Sequence, residues 1–188
     1  MDDIVLQALR KWPNVPDCYD WLGLDARGQW YMRDAATQAI GPFPTLIQPG
    51  PSAARGSRLQ HDKLLAFIAR NYEADGRGCW FFQNGPQRVY VELEATPWVW
   101  RIYRNDAGDF EISSHTGLRT QAESCWLDEE GRVYLVTPLG LGLVHSQDVG
   151  WAAEALESGC WQAQACTYAK LLARQNVTLS PAHLVALA

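Results

Sequence analysis

Two stretches, DGRGCWFFQNGPQRVYVELE from Asp75 to Glu94 and DEEGRVYLVTPLGLGLVHSQ from Asp128 to Gln147, carry the reading of the fold. Each opens on Asp-x-x-Gly, runs into a β-prone segment, turns on a Pro/Gly cluster and returns in a second β-prone segment. In the first, Cys79 to Gln83 meets Arg88 to Glu94 through Asn84-Gly85-Pro86. In the second, Arg132 to Val136 meets Leu141 to His145 through Thr137-Pro138-Leu139-Gly140. The outline repeats at an offset of 53 residues, as Asp75 and Asp128 show, so the chain reads as internally duplicated.

The opening turn occurs twice more, at Asp25 to Gly28 and at Asn105 to Gly108. In all four copies a large apolar residue follows the glycine by two positions: Trp30, Trp80, Phe110 and Val133. An Asx side chain bonds the backbone two residues on, and glycine takes the positive φ of a bulged hairpin, so these are strand reversals and carry no catalytic meaning. Working outward, Cys18 to Arg33 is a further hairpin around Asp25–Gly28, and Pro97 to Arg104 is a strand with Trp98, Trp100 and Ile102 on one face. Helices are expected over Asp3 to Lys11, His61 to Asn71, Val149 to Glu157 and Gln162 to Gln175, with a final turn over 182–188. The Pro/Gly-rich run from Gly41 to Pro51, continued to Arg58, is a long loop. The fold class is therefore α+β, mainly β, with duplicated antiparallel hairpins in two β-rich halves and a few helices packed on the sheets. The organisation is an N-terminal segment, residues 1–58, and the repeated hairpins with C-terminal helices, residues 59–188.

Composition narrows function by exclusion. With 47% hydrophobic residues, 20% charged and a net charge of −5, the chain is globular and lacks the clustered Lys and Arg that phosphate binding needs, so no nucleic-acid partner is expected. No apolar run approaches the ~20 residues of a spanning helix, and Met1-Asp2-Asp3-Ile4 is no signal sequence, so a soluble cytoplasmic protein with no membrane partner is expected. Cys18, Cys79, Cys125, Cys160 and Cys166 form an odd set without paired spacing, which reads as reduced thiols.

Gly78-Cys-Trp-Phe-Phe, Arg88-Val-Tyr-Val-Glu-Leu-Glu-Ala-Thr-Pro-Trp98, Asp109-Phe-Glu-Ile-Ser113 and Tyr134-Leu-Val-Thr-Pro138 together resemble uncharacterised proteobacterial families of unknown function. The resemblance runs over residues 20 to 175 by order of elements. It implies a fold of repeated β-rich motifs with helices and a proposed role in signal transduction, and it brings no catalytic motif.

No zinc-protease helix pair, Cys-x-x-Cys, phosphate loop or nucleophile elbow is present. His61, His115, His145 and His183 are dispersed, so no metal site and no cofactor are expected, and the carboxylates of Arg88 to Glu94 read as one solvated face. Nine Trp and seven Tyr stand out. Arg101 and Arg104 flank the Trp98/Trp100 strand, where a guanidinium beside an indole suits an anionic or aromatic ligand. The expected ligand-binding set is Arg88, Trp98, Trp100, Arg101 and His115. The leading reading is a non-enzymatic small-molecule-binding or regulatory protein. The alternatives are a small hydrolase or isomerase of unrecognised type, or an adaptor acting through a protein partner.

Overall fold

A computed structural model describes residues 1–186. In chain order its helices and strands are α1 (Asp3–Lys11), β1 (Cys18–Leu24), β2 (Trp30–Met32), α2 (Ala35–Ile40), β3 (Ser57–Arg58), α3 (Asp62–Arg70), β4 (Tyr72–Ala74), β5 (Trp80–Asn84), β6 (Gln87–Leu93), β7 (Trp98–Arg104), β8 (Phe110–Ser114), β9 (Arg119–Thr120), β10 (Ser124–Leu127), β11 (Val133–Thr137), β12 (Gly140–Val144), α4 (Val149–Glu157), β13 (Ala163–Ala165), α5 (Tyr168–Arg174) and α6 (Pro181–Ala186). No helix among the described residues is long and apolar enough to cross a membrane. Two compact units emerge. The first takes Met1–Asp25, Gln29–Ala95 and the segment from Thr178; the second takes Ala26–Gly28 and Thr96–Val177. Residue 58, the expected end of the N-terminal segment, is the last of β3 and lies within the first unit.

The first unit holds a six-stranded sheet in the order β3-β2-β1-β6-β5-β4. Two antiparallel meanders, β1-β2-β3 and β4-β5-β6, are joined by parallel pairing of β1 with β6. The second unit's sheet runs β13-β10-β11-β12-β7-β8-β9. Its meanders β7-β8-β9 and β10-β11-β12 are joined by parallel pairing of β7 with β12, and β13 adds in parallel beside β10. In both units the first strand of one meander lies beside the last strand of the other, so the mainly β fold in two similar halves is what the chain adopts. The duplication is also wider than the sequence indicates. The second meanders repeat at the offset of 53, but the first repeat at 80, which brings Asp25 onto Asn105 and Trp30 onto Phe110. The offset changes because the first unit carries α2, the Pro-rich loop and α3 between strands where the second has short turns.

The four turns form as their chemistry requires. Asp75 Oδ1 accepts from the amides of Arg77 and Cys79 at 2.9 and 3.0 Å, and Asp128 Oδ1 from Glu130 and Arg132 at 3.0 and 2.8 Å. Asn105 does the same for Ala107 and Asp109, and Asp25 accepts from Gln29. The closing glycines have φ between 73° and 88°. A fifth turn of this kind, Ser114 to Gly117, connects β8 to β9, with Ser114 Oγ accepting from Thr116 and Leu118 at 3.3 and 3.1 Å. A hydroxyl stands there for the carboxylate, so a pattern built on Asp and Asn passes it by.

Three local expectations are corrected. The segment Gln162 to Gln175 is not one helix: Ala163–Ala165 pairs with Cys125–Leu127 as β13 before α5 begins. The long loop folds in part, with a 3-10 turn at Ser52–Arg55 and β3 pairing on β2. The second face of β6 is not solvated, because Tyr90 and Glu92 are buried, and Glu92 accepts from the Ala182 amide at 3.1 Å. The final turn is α6; residues 187 and 188, also assigned to it, lie outside the described residues.

Candidate functional site

The five residues singled out from sequence are divided between the units, with Arg88 in the first and the other four in the second. Trp98 and Trp100 are both buried, their rings stacked at 5.9 Å. Each indole N–H donates to a main-chain carbonyl, that of Trp98 to Leu139 at 2.6 Å and that of Trp100 to Leu135 at 2.9 Å. His115 lies against the Trp98 ring at 5.7 Å, and its Nδ1 accepts from the Val99 amide. Burial pushes its pKa down to about 3, so the imidazole is neutral. Arg101 is exposed on the other face of β7, where both guanidinium arms reach the Asp148 carboxylate, the Nη2 arm at 3.1 Å. Arg88 belongs to the first unit, exposed on β6, with its guanidinium 4.7 Å from the Phe81 ring centre. Within the second unit Trp98, Trp100 and His115 are thus brought together as packing, while Arg101 is engaged on the opposite face of β7.

Two of the turn carboxylates are engaged by side chains as well as by amides. Asp128 receives Arg132 Nε at 2.6 Å and the Tyr134 hydroxyl at 2.9 Å; Asp75 receives Arg77 and the Tyr90 hydroxyl in the same way. Burial opposes ionisation of both, yet these donors hold them below the usual carboxylate range. An Arg and a Tyr thus brace the Asp at the matched turns of both units, drawn from different positions in each, which makes the set a turn lock. Among the described residues no three His, Cys, Asp or Glu side chains gather as a metal-binding group.

A different place has the character of a binding site. On the first sheet, under α3, Cys18, Trp21, Leu22, Met32, Leu59, Leu64, Ile68, Phe82, Asn84 and Val89 line an open cleft of about 240 Å³. Its floor takes apolar residues from two neighbouring rows: Met32 pairs with Leu22 in one, and Cys18 with Val89 and Val89 with Phe82 in the other. Pairs directly opposite one another point to the same face, so each row presents its apolar side chains together. Leu64 and Ile68, one turn apart on α3, close it from above. At the rim Trp21 is 45% and Met32 47% exposed.

A bulge in β1 creates the rim. Between Cys18 and Leu22 the strand advances four residues while β6 advances two, from Val89 to Val91. Asp20 takes up the slack at φ 65°, a conformation that Asp tolerates better than most residues. Its carboxylate pairs with Arg33, which is buried and also donates to the carbonyls of Gly41 and Ala54. The Asp20 carbonyl accepts from Gln38 at 3.0 Å. Anchored on both sides, the bulge turns Trp21 out to the cleft.

The matching row in the second unit is filled. Cys18–Val89–Phe82 corresponds to Trp98–Gly142–Leu135, with the same pairings, and Leu22–Met32 to Ile102–Ile112. By the offset of 80 Trp100 stands for Asp20, while across the parallel pair it faces Val144 as Leu22 faces Val91, because of the bulge; its indole lies so close over Gly142 that a Cβ there would come within 2.3 Å of Nε1. Sequence reasoning missed the cleft because Cys18 to Leu24 reads as an unbroken strand. The one available signal is Asp20, an Asp in the middle of it.

Other concavities include one of about 440 Å³ with Arg88, Asp17 and the Pro13–Pro16 stretch, and two of about 420 and 250 Å³ beside Asp128 and Cys125. Each of these has charged side chains in its lining.

The family model DUF2944, described as a protein of unknown function (DUF2946), matches residues 1–187. No curated protein matches the chain. Among solved structures, a DUF1285 family protein from Shewanella baltica OS155 is similar at 15% identity, covering 71% of this chain and 91% of that one, with a TM-score of 0.47. A DUF1285 family protein from Silicibacter pomeroyi DSS-3 is similar at 10% identity, covering 82% and 84%, also at 0.47.

Proposed function

This chain belongs to that DUF2944 family of proteins of unknown function, and we propose that it is a non-catalytic binding protein whose first unit takes a compact, largely apolar small molecule in the cleft at the β1 bulge. One observation carries the reading. At matched positions of a duplicated sheet, the second unit packs two tryptophans, and the first leaves an apolar space rimmed by Trp21 and Met32. Core positions are ordinarily filled to crystal-like density, so an apolar row left open in one copy is a feature that packing alone does not require.

The size sets the class of ligand. A dry cavity of ~150 Å³ takes benzene, and pockets for drug-sized ligands begin near ~300 Å³. The cleft falls between, suiting one substituted ring or two fused rings. Its lining favours binding over chemistry: Cys18 is the one ionisable side chain there, and burial raises the pKa of its thiol, which disfavours the nucleophilic thiolate. The free state of all five cysteines supports a place in the reducing cytoplasm.

Thermal melts with toluene, indole and 2-naphthol test the reading, since a ligand that prefers the folded state raises the melting temperature. At least one is expected to raise it by several degrees in the wild type and not in Cys18→Trp, which sets the second unit's indole into the cleft. No rise with any of the three in the wild type overturns the reading.

A further inference from the structure

The cleft has a polar corner, and it lies at the end of β5. Phe82 and Asn84 are two residues apart on one strand and so share a face, which sets the Asn84 carboxamide beside the Phe82 ring at the mouth of the cleft. Its neighbours in the hairpin are engaged: the Gln83 amide donates to the Gly85 carbonyl at 3.0 Å, and the Gln87 amide to the Pro16 carbonyl at 2.9 Å. The Asn84 side chain makes no hydrogen bond among the described residues. At the matching position of the second unit stands Thr137, whose Oγ1 accepts from the Leu139 amide at 3.1 Å and is turned to the Gly140 carbonyl, closing its own turn. Asn84 is therefore the member of the pair left available to a ligand.

The rest of the lining restricts what that ligand can be. No Asp, Glu, Lys, Arg or His is among the cleft residues, so a charged group brought into it has no counter-ion and loses its hydration. A carboxamide offers one donor and one acceptor face, which recognises either a hydroxyl or a carbonyl. We infer that the cleft selects uncharged ring compounds bearing a single hydroxyl or carbonyl, and that Asn84 is the residue that reads this group. The inference rests on the proposed binding role of the cleft.

Three probes of one shape separate the two claims: ethylbenzene, 4-ethylphenol and 4-ethylbenzoate, titrated calorimetrically at pH 7 into wild type and Asn84→Leu. In the wild type, 4-ethylphenol is expected to bind at least about tenfold more tightly than the anionic benzoate. In Asn84→Leu the affinity for 4-ethylphenol relative to ethylbenzene is expected to fall about fivefold, the worth of one hydrogen bond. An unchanged ratio, or benzoate binding as tight as that of the phenol, overturns the inference and leaves the cleft as a binding site. Failure of the wild type to bind either neutral probe removes the binding site, and the inference with it.

Discussion

Cys18 faces Val89 across the first unit's parallel strand pair; Trp98 faces Gly142 across the second's. In the second, one side chain is large and its partner has none, so the Trp100 indole lies over Gly142, stacks on that of Trp98, and both donate to carbonyls of the adjoining hairpin. In the first, both partners are small to medium, the strand bulges at Asp20, and the row stays open under α3. The two copies keep the same Asx-Gly turns and the same pairing of their two meanders. Apart from α2, the Pro-rich loop and α3 in the first and β13 in the second, what separates them is side-chain volume at two or three positions and one bulge, so a duplicated sheet can keep its topology while one copy serves as packing and the other as a receptacle.

The largest effects should come from the filled copy. Trp100 is fully buried, and Trp100→Ala should cost about 3 to 5 kcal/mol in urea unfolding, against less than about 1 kcal/mol for Trp21→Ala at the open rim. Equal losses would mean that the first copy is packed as tightly as the second. Next in size, Gly142→Val installs the residue that Val89 is in the first unit and drives it into the Trp100 indole, with an expected cost of about 1 to 3 kcal/mol. A neutral outcome would show that the glycine is not what admits the ring.

Least visible at neutral pH is a difference in how the units titrate. His115 in the folded second unit accepts a proton only near pH 3, whereas the unfolded chain does so near 6.5. Protons therefore favour the unfolded state, and this contribution to stability is lost as the pH falls from 6.5 towards 3. Burial raises Glu92 in the first unit above 4.5, which has the opposite sign: its contribution is present at low pH and lost as the pH rises through the folded pKa. Unfolding free energies measured from pH 3 to 8 should lose the first slope in His115→Phe and the second in Glu92→Gln. The same slope in both variants would break the distinction.

Much of the fold was legible because it is written in local chemistry. Asp, Asn and Gly at fixed spacing specify a turn whose hydrogen bonds all fall within five residues, and the hairpins follow from it. The helices Asp3–Lys11 and Val149–Glu157 came from their apolar periodicity in the same way. The parallel pairings were not legible, since β1 meets β6 some seventy residues away and nothing in either strand names the other. Nor was the site. Trp98 and Trp100 look alike in sequence whether they line a pocket or fill a core, and the deciding residue, Gly142, stands more than forty positions away. Glu92 reads as a surface carboxylate until the chain from Thr178 returns to cover it.

That return has a consequence for the order in which the protein can be assembled. The Leu93 amide donates to the Leu179 carbonyl, Thr178 bridges to Cys79, and Ala182 donates to Glu92, all within the first unit. A chain emerging from the ribosome delivers residues up to Ala95 early but Thr178 to Ala182 only after Val177, the last residue of the second unit. The first unit to begin folding is thus completed last, and while Thr96 to Val177 is being made the site at Cys79, Glu92 and Leu93 waits uncovered for its final segment.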